Sequence, residues 1–178
     1  MKKYLLIIFV ILAVIFVSGC LGENVDDKNS SEVQSISKGG VLLKYPSNWV
    51  VSESTSNHSL LSVSAADSID SSKVGQVNVN VEEKELTSPL DTFVNQTSAS
   101  LNNDPSYDLI STGGVKVAGK DGIEVIYKSD VNGTMKMHKA VWFENNGKAI
   151  VVLCSAPENQ FEDNLNIFNF IIGNIQIS

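Results

Sequence analysis

The chain has 178 residues, 20 acidic against 13 basic, and a formal net charge of -7 at neutral pH; every basic residue is lysine. A net-acidic, arginine-free chain is a poor candidate for neutralising phosphates, and no nucleic-acid partner is expected. Its length suits one domain with a real core, and its charge would repel it from an anionic membrane surface.

The first element is a signal segment. Lys2 and Lys3 precede an apolar run from Leu5 to Val17, which closes on Val17-Ser18-Gly19-Cys20. Positive charge, apolar stretch and small residues in that order are the n-, h- and c-regions of a secretory signal. Here they end in a lipobox. Residues 1–19 are read as the signal peptide and Cys20 as the lipidated residue. Two lipid chains on one thiol hold a protein stably, whereas a single chain at ~0.8 kcal/mol per CH2 is marginal. The alternative is an uncleaved anchor helix, since the run approaches the roughly 20 residues that span a bilayer. Either way the remainder lies on the outer face of the cytoplasmic membrane, with the lipid on Cys20 as its contact to that membrane.

Residues 20–38 (CLGENVDDKNSSEVQSISK) are polar and acidic and read as a flexible linker. A flexible chain of that length holds a domain on the order of 20–25 Å from the lipid. The folded domain is expected over 39–178.

Val41 to Tyr45 reads as a strand stopped by Pro46, with Pro46-Ser47-Asn48 as a turn and Trp49 to Ser52 as the next strand. Ser59 to Ala65 alternates apolar and serine, as a half-buried strand does, and Asp67 to Ser72 is an acidic loop. Val77, Val79 and Val81 alternate with Asn78, Asn80 and Glu82, the clearest period-2 signal in the chain. A helix follows at Thr87-Ser88-Pro89-Leu90-Asp91, with Ser88 as cap and Leu90, Phe93, Val94, Thr97 and Leu101 as its inward face. Asn102 to Pro105 ends it.

Tyr107 to Val117 reads as extended structure broken at Gly113-Gly114, and Gly119 to Gly122 as a turn. Asn132-Gly133 and Asn146-Gly147 are type I′ hairpin signals. They bound a meander of Ile123–Ser129, Met135–Glu144 and Lys148–Ser155, whose last strand is apolar on both faces and so central. Pro157 opens a second helix with Phe161, Leu165, Phe168 and Ile172 inward, and Asn174 to Ile177 closes the fold as a strand. Antiparallel strands covered by two amphipathic helices give class α+β.

Two stretches carry a resemblance. GVLLKYPSNW at 40–49 resembles the opening strand and Pro-x-x-Trp turn of PsbP-like domains, and WFENNGKAIVVLCSAP at 142–157 resembles their closing hairpin and C-terminal helix. The region 39–178 is similar to the PsbP-related lipoproteins of methanogenic archaea. The resemblance implies an α/β/α sandwich around an antiparallel sheet. Plant PsbP supports the oxygen-evolving side of photosystem II through protein contacts and ion retention. The N-terminal extension used in that docking has no counterpart in the acidic linker, and no binding residue is carried over.

The chemical inventory is short. His58 lies in a Ser/Asn-rich loop, and His138 lies mid-strand in phase with Ala140 and Trp142, the pattern of a surface or rim residue. Cys154 is in phase with Ile150 and Val152, as a small buried hydrophobe would be, although a Cys154–His138 nucleophile and base can be drawn on neighbouring strands. No HxxxH, CxxC, HExxH, P-loop, GxGxxG or GxSxG spacing occurs. Carboxylates gather at Asp67/Asp70, at Glu82/Glu83/Glu85 and at Asp130 beside Asn132, without the EF-hand spacing, and read as a solvated acidic surface. Four sequons, at Asn29, Asn57, Asn95 and Asn132, are candidate glycosylation sites.

No catalytic residue, metal or cofactor is expected, and the protein is read as a monomer and not an enzyme. Three roles compete. A tethered accessory module docking on a membrane or cell-surface protein should expose an apolar patch and have no convergent polar cluster. An enzyme, or a small-ligand or metal carrier, should have a deep cavity with a few converging polar groups. A structural envelope protein needs neither.

Overall fold

The computed structural model describes residues 32–178; the signal segment, Cys20 and Asn29 lie outside them. Among the described residues no helix is long and apolar enough to cross a membrane.

The first strand, β1 (Val33–Lys38), corrects the domain boundary. It occupies the last six residues read as linker and pairs antiparallel with β2 (Val41–Pro46). The polar sequence QSISK hid it because its side chains are largely exposed: the strand is held by backbone pairing at a sheet edge. Gly39 and Gly40, both at positive φ, are therefore a hairpin turn and not the start of the fold.

The chain continues through β3 (Trp49–Val51), β4 (Ser59–Ala65) and β5 (Asn78–Glu85) to the first helix, α1 (Leu90–Leu101). Four long strands follow: β6 (Asp108–Val117), β7 (Lys120–Val131), β8 (Thr134–Asn145) and β9 (Lys148–Pro157). The last elements are α2 (Glu158–Gly173) and the short β10 (Gln176–Ile177). Seven strands form one antiparallel sheet in the order β3-β4-β5-β9-β8-β7-β6, and β1-β2-β10 form a second. The doubly apolar β9 is the middle strand of the seven, as its sequence requires. Asn132-Gly133 and Asn146-Gly147 all have positive φ and make the two hairpins of the meander.

Three local expectations change. Gly113-Gly114 does not break β6, which pairs continuously with β7 through both glycines because an edge strand tolerates missing side chains. The β6–β7 turn is Ala118-Gly119, one step before the expected one, with Ala118 itself at φ 50. Ser88 does not cap α1: Pro89 is the N-cap residue, and the Ser88 hydroxyl is buried with no hydrogen bond among the described residues.

Alternation along the strands gives the large sheet two faces. One carries Leu61, Val63, Val79, Val81, Val141, Phe143, Ile150, Val152 and Cys154, and packs against α2 and the small sheet. Trp49, fully buried, meets Phe168 edge-on at 6.2 Å, so the Pro-x-x-Trp turn delivers an indole into the core. Leu165 is only partly buried and Ile171 takes the fourth inward position of α2. The opposite face carries Val125, Ala140, Trp142, Ala149 and Val151 under Val94, Leu90 and Phe93 of α1, with Leu101 left exposed. Helices on both faces of an antiparallel sheet make the expected α+β sandwich.

Candidate functional site

Helix α1 covers only part of its face. Its apolar residues meet the Ala140 and Trp142 level of β8, and the levels of His138 and Lys136 extend beyond it. There the floor of the sheet turns polar. Strand pairing sets Ser64 beside Asn78, Asn78 beside Ser155, and Ser155 beside His138, a lateral row across four strands. The next level runs from Ser62 to Asn80 to Leu153. The β3–β4 segment around 53–56, the β4–β5 loop around 70–76 and the β7–β8 hairpin rise around this floor. They enclose an open cleft of ≈ 550 Å³.

The walls are tied together. The Glu53 amide donates to the Lys73 carbonyl at 2.9 Å, linking two loops. Gly75 passes so close over β4 that a β-carbon there would lie 2.3 Å from the Ser64 side chain. Asp70 organises its own loop, accepting from the Ser72 and Val74 amides and the Ser72 hydroxyl, which hold its carboxyl below the usual carboxylate range.

Seven polar or charged residues are buried in the described chain, all on this face: Ser62, Ser64, Asn80, Glu82, Lys136, His138 and Ser155. Most bond to one another. Ser52 links Ser62 (3.0 Å) and Ser64 (2.7 Å). Ser59 donates to Asn80 Oδ1 at 2.6 Å, and Asn80 Nδ2 donates to Glu82 Oε1 at 2.9 Å. Glu82 Oε2 pairs with Lys84 at 3.1 Å, and Lys84 sits over the Trp142 ring at 5.3 Å.

His138 is the centre of the row and corrects the rim assignment. It is 5% exposed, stacked on Tyr127 at 4.7 Å, with Nδ1 2.8 Å from Ser155 Oγ and Nε2 3.0 Å from Ser129 Oγ. Burial, and secondarily the Lys136 charge, push its pKa down to about 4. A Ser155–His138 contact has the outline of a nucleophile and base, but an imidazole titrating near 4 is a poor proton acceptor for a hydroxyl at neutral pH. Its other nitrogen meets a serine, not the orienting carboxylate of a triad.

The drawn Cys154–His138 pair does not exist. Cys154 registers with Lys139 and belongs to the α2 face, so the thiol and the imidazole lie on opposite faces of the sheet. The thiol is fully buried, and desolvation raises its pKa. His58, Asn57, Asn95 and Asn132 are exposed. The carboxylate groupings dissolve into separate contacts: Glu83 and Glu85 pair with Lys148, Glu82 turns to the other face, and Asp130 accepts from the Gly133 amide in its hairpin. Among the described residues no group of three or more His, Cys, Asp or Glu could hold a metal ion.

The strand alternation was legible, yet its polar side reads as solvent-facing when it is a cleft floor. A usable signal was the residue type. Solvated strand faces favour long charged side chains, whereas Ser62, Ser64, Asn78, Asn80 and Ser155 are short and neutral.

A family model described as PsbP-like protein matches residues 5–177. No curated protein matches the chain. Among solved structures, cyanobacterial PsbP (CyanoP) from Synechocystis superposes with a TM-score of 0.59 at 16% identity, over 83% of this chain and 94% of that one. LpqN of Mycobacterium tuberculosis, described as involved in cell envelope biogenesis, superposes at 0.56 and 13% identity, over 85% and 93%. PA94 of Pseudomonas aeruginosa, described as of unknown function, superposes at 0.53 and 8% identity, over 80% and 95%. At these identities the likeness is one of fold.

Proposed function

The chain belongs to the PsbP-like protein family, and from that premise we propose that it is a non-catalytic accessory protein on the outer face of the cytoplasmic membrane. Lipid on Cys20 tethers it there, and the polar cleft is its recognition surface for a small ligand. The observation that carries this reading is the convergence of the buried polar side chains on one concave face. Polar groups converging in a cleft of small-molecule size support a ligand-binding role, although the cleft is open where a deep cavity was expected. A protein-docking module was expected to lack such a polar cluster.

Catalysis is disfavoured by the Ser155–His138 geometry and the low basicity of the imidazole. The lipobox supports the tether, and LpqN, a fold relative tied to envelope biogenesis, fits an accessory role at a cell surface.

Two experiments test the reading. Cys20→Ser should move the protein from the membrane to the soluble fraction and remove the mass of the lipid; unchanged retention and mass would sink the tether. A small-molecule extract of the host envelope should raise the melting temperature of the detergent-solubilised full chain. Thr134→Trp, which fills the cleft mouth from an exposed hairpin position, should abolish that rise. Equal shifts in both proteins, or none in either, would refute the cleft as the recognition surface.

A further inference from the structure

The lysine that lines the cleft, Lys136, differs from the other described lysines in being buried. Lys84, Lys116, Lys128, Lys139 and Lys148 each lie within ion-pair distance of a carboxylate, and none of them is buried. Among the described residues Lys136 is the only buried lysine, 6% exposed, and no carboxylate there lies within 4.0 Å of its ammonium. Its one protein hydrogen bond runs to the Gln76 carbonyl at a long 3.4 Å. An ammonium has three donors, and a buried charge is costly unless paired. Burial accordingly lowers its pKa, with the Asp70 charge acting the other way.

Lys136 lines the cleft together with the neutral floor of Ser62, Asn78, Asn80 and Ser155. The other charged lining residues, Glu53, Asp70 and Glu82, are all negative. Glu82 is already engaged by Asn80 and Lys84, and Asp70 by its own loop. One unpaired cation accepts a single negative charge, and the carboxylates around it repel a second. Short hydroxyl and amide side chains offer paired donors and acceptors to a ligand's hydroxyls. The cleft volume of ≈ 550 Å³ holds one small molecule of this kind.

We propose that the cleft binds a small hydroxylated monocarboxylic acid of the sugar-acid class, its carboxylate on the Lys136 ammonium and its hydroxyls on the Ser/Asn floor. This rests on the reading of the cleft as a recognition surface. Lys136 is the specificity determinant: it separates an acid from the neutral sugar of the same shape, and the surrounding carboxylates separate a monoanion from a phosphate ester.

Calorimetric titration of the full chain in detergent with D-glucuronate, D-glucose and glucose 6-phosphate tests this directly. Glucuronate should bind at least tenfold more tightly than either of the others. Lys136→Met should bring glucuronate down to the level of glucose while leaving the melting temperature of the free protein unchanged or higher, because an unpaired buried charge has been replaced by an apolar chain. Glucuronate binding no tighter than glucose, a preference for the phosphate ester, or undiminished binding by Lys136→Met each overturns the proposal. The comparison among the three ligands needs no variant, so it stands even if Lys136→Met does not fold. If the envelope extract stabilises the protein through the cleft while glucuronate does not bind, the ligand class falls and the recognition surface remains. If both fail, both readings fall.

Discussion

Acidification should weaken the fold through His138. The imidazole has an ordinary pKa of 6.5 and is pushed to about 4 in the folded state by burial and by Lys136. A depressed folded-state pKa means that the unfolded chain binds the proton first, so stability is full above 6.5 and is lost as pH falls towards 4. The difference in the two values corresponds to about 3 kcal/mol in the limit, and to about 2 kcal/mol already at pH 5. That is a sizeable share of the ~5–15 kcal/mol of a typical domain. The carboxyls of Asp70 and Asp104 are held below their usual range by hydrogen bonds from Ser72 and Ser106, so their effects fall at lower pH. Urea unfolding of the wild-type chain and of His138→Gln between pH 7 and pH 5 isolates the term. The variant should be about 1–2 kcal/mol less stable at pH 7, from lost bonds to Ser129 and Ser155. It should then change far less with pH than the wild type. Parallel curves for the two proteins, or an NMR titration placing His138 at 6 or above, would refute the reasoning.

Three further outcomes follow from packing. Trp49→Ala should cost about 3–5 kcal/mol, read as a shift in urea midpoint, since it empties a fully buried site against Phe168. Gly75→Ala should destabilise by about 1–3 kcal/mol, because the added carbon meets Ser64 and must displace a cleft wall; an unchanged melting temperature would show that the loop does not press on β4. Cys154 should resist a polar thiol reagent in the native protein and react promptly once urea unfolds it.

Most of the architecture was legible in residue patterns because those patterns report burial on a regular lattice. The two Asn-Gly pairs fixed the meander, and the apolar run of β9 placed it at the centre of the sheet. What escaped lay where tertiary context overrides local chemistry. Strand β1 has little apolar face to announce it: Ile36 is its one side chain packed on the core, and the rest of the strand is exposed. Ser88 has a good cap sequence, yet its hydroxyl turns inward while Pro89 starts the helix. The cleft escaped for a different reason. Alternation shows that Asn80, Ser62 and His138 share the face opposite the core, but not that α1 stops short of covering it or that three loops rise around it. Those facts depend on where the helix lands, which no periodicity encodes. Lys136 likewise reads as one more surface lysine until the hairpin and the β4–β5 loop close over it.

The proposed recognition surface is the cleft and not the apolar faces of the sheet. Native mass spectrometry of the full chain, released in mild detergent from its own membranes, tests it most directly. The wild-type protein should carry a small-molecule adduct that is absent from Thr134→Trp prepared alongside it. An adduct of the same mass and occupancy on both proteins would contradict the account.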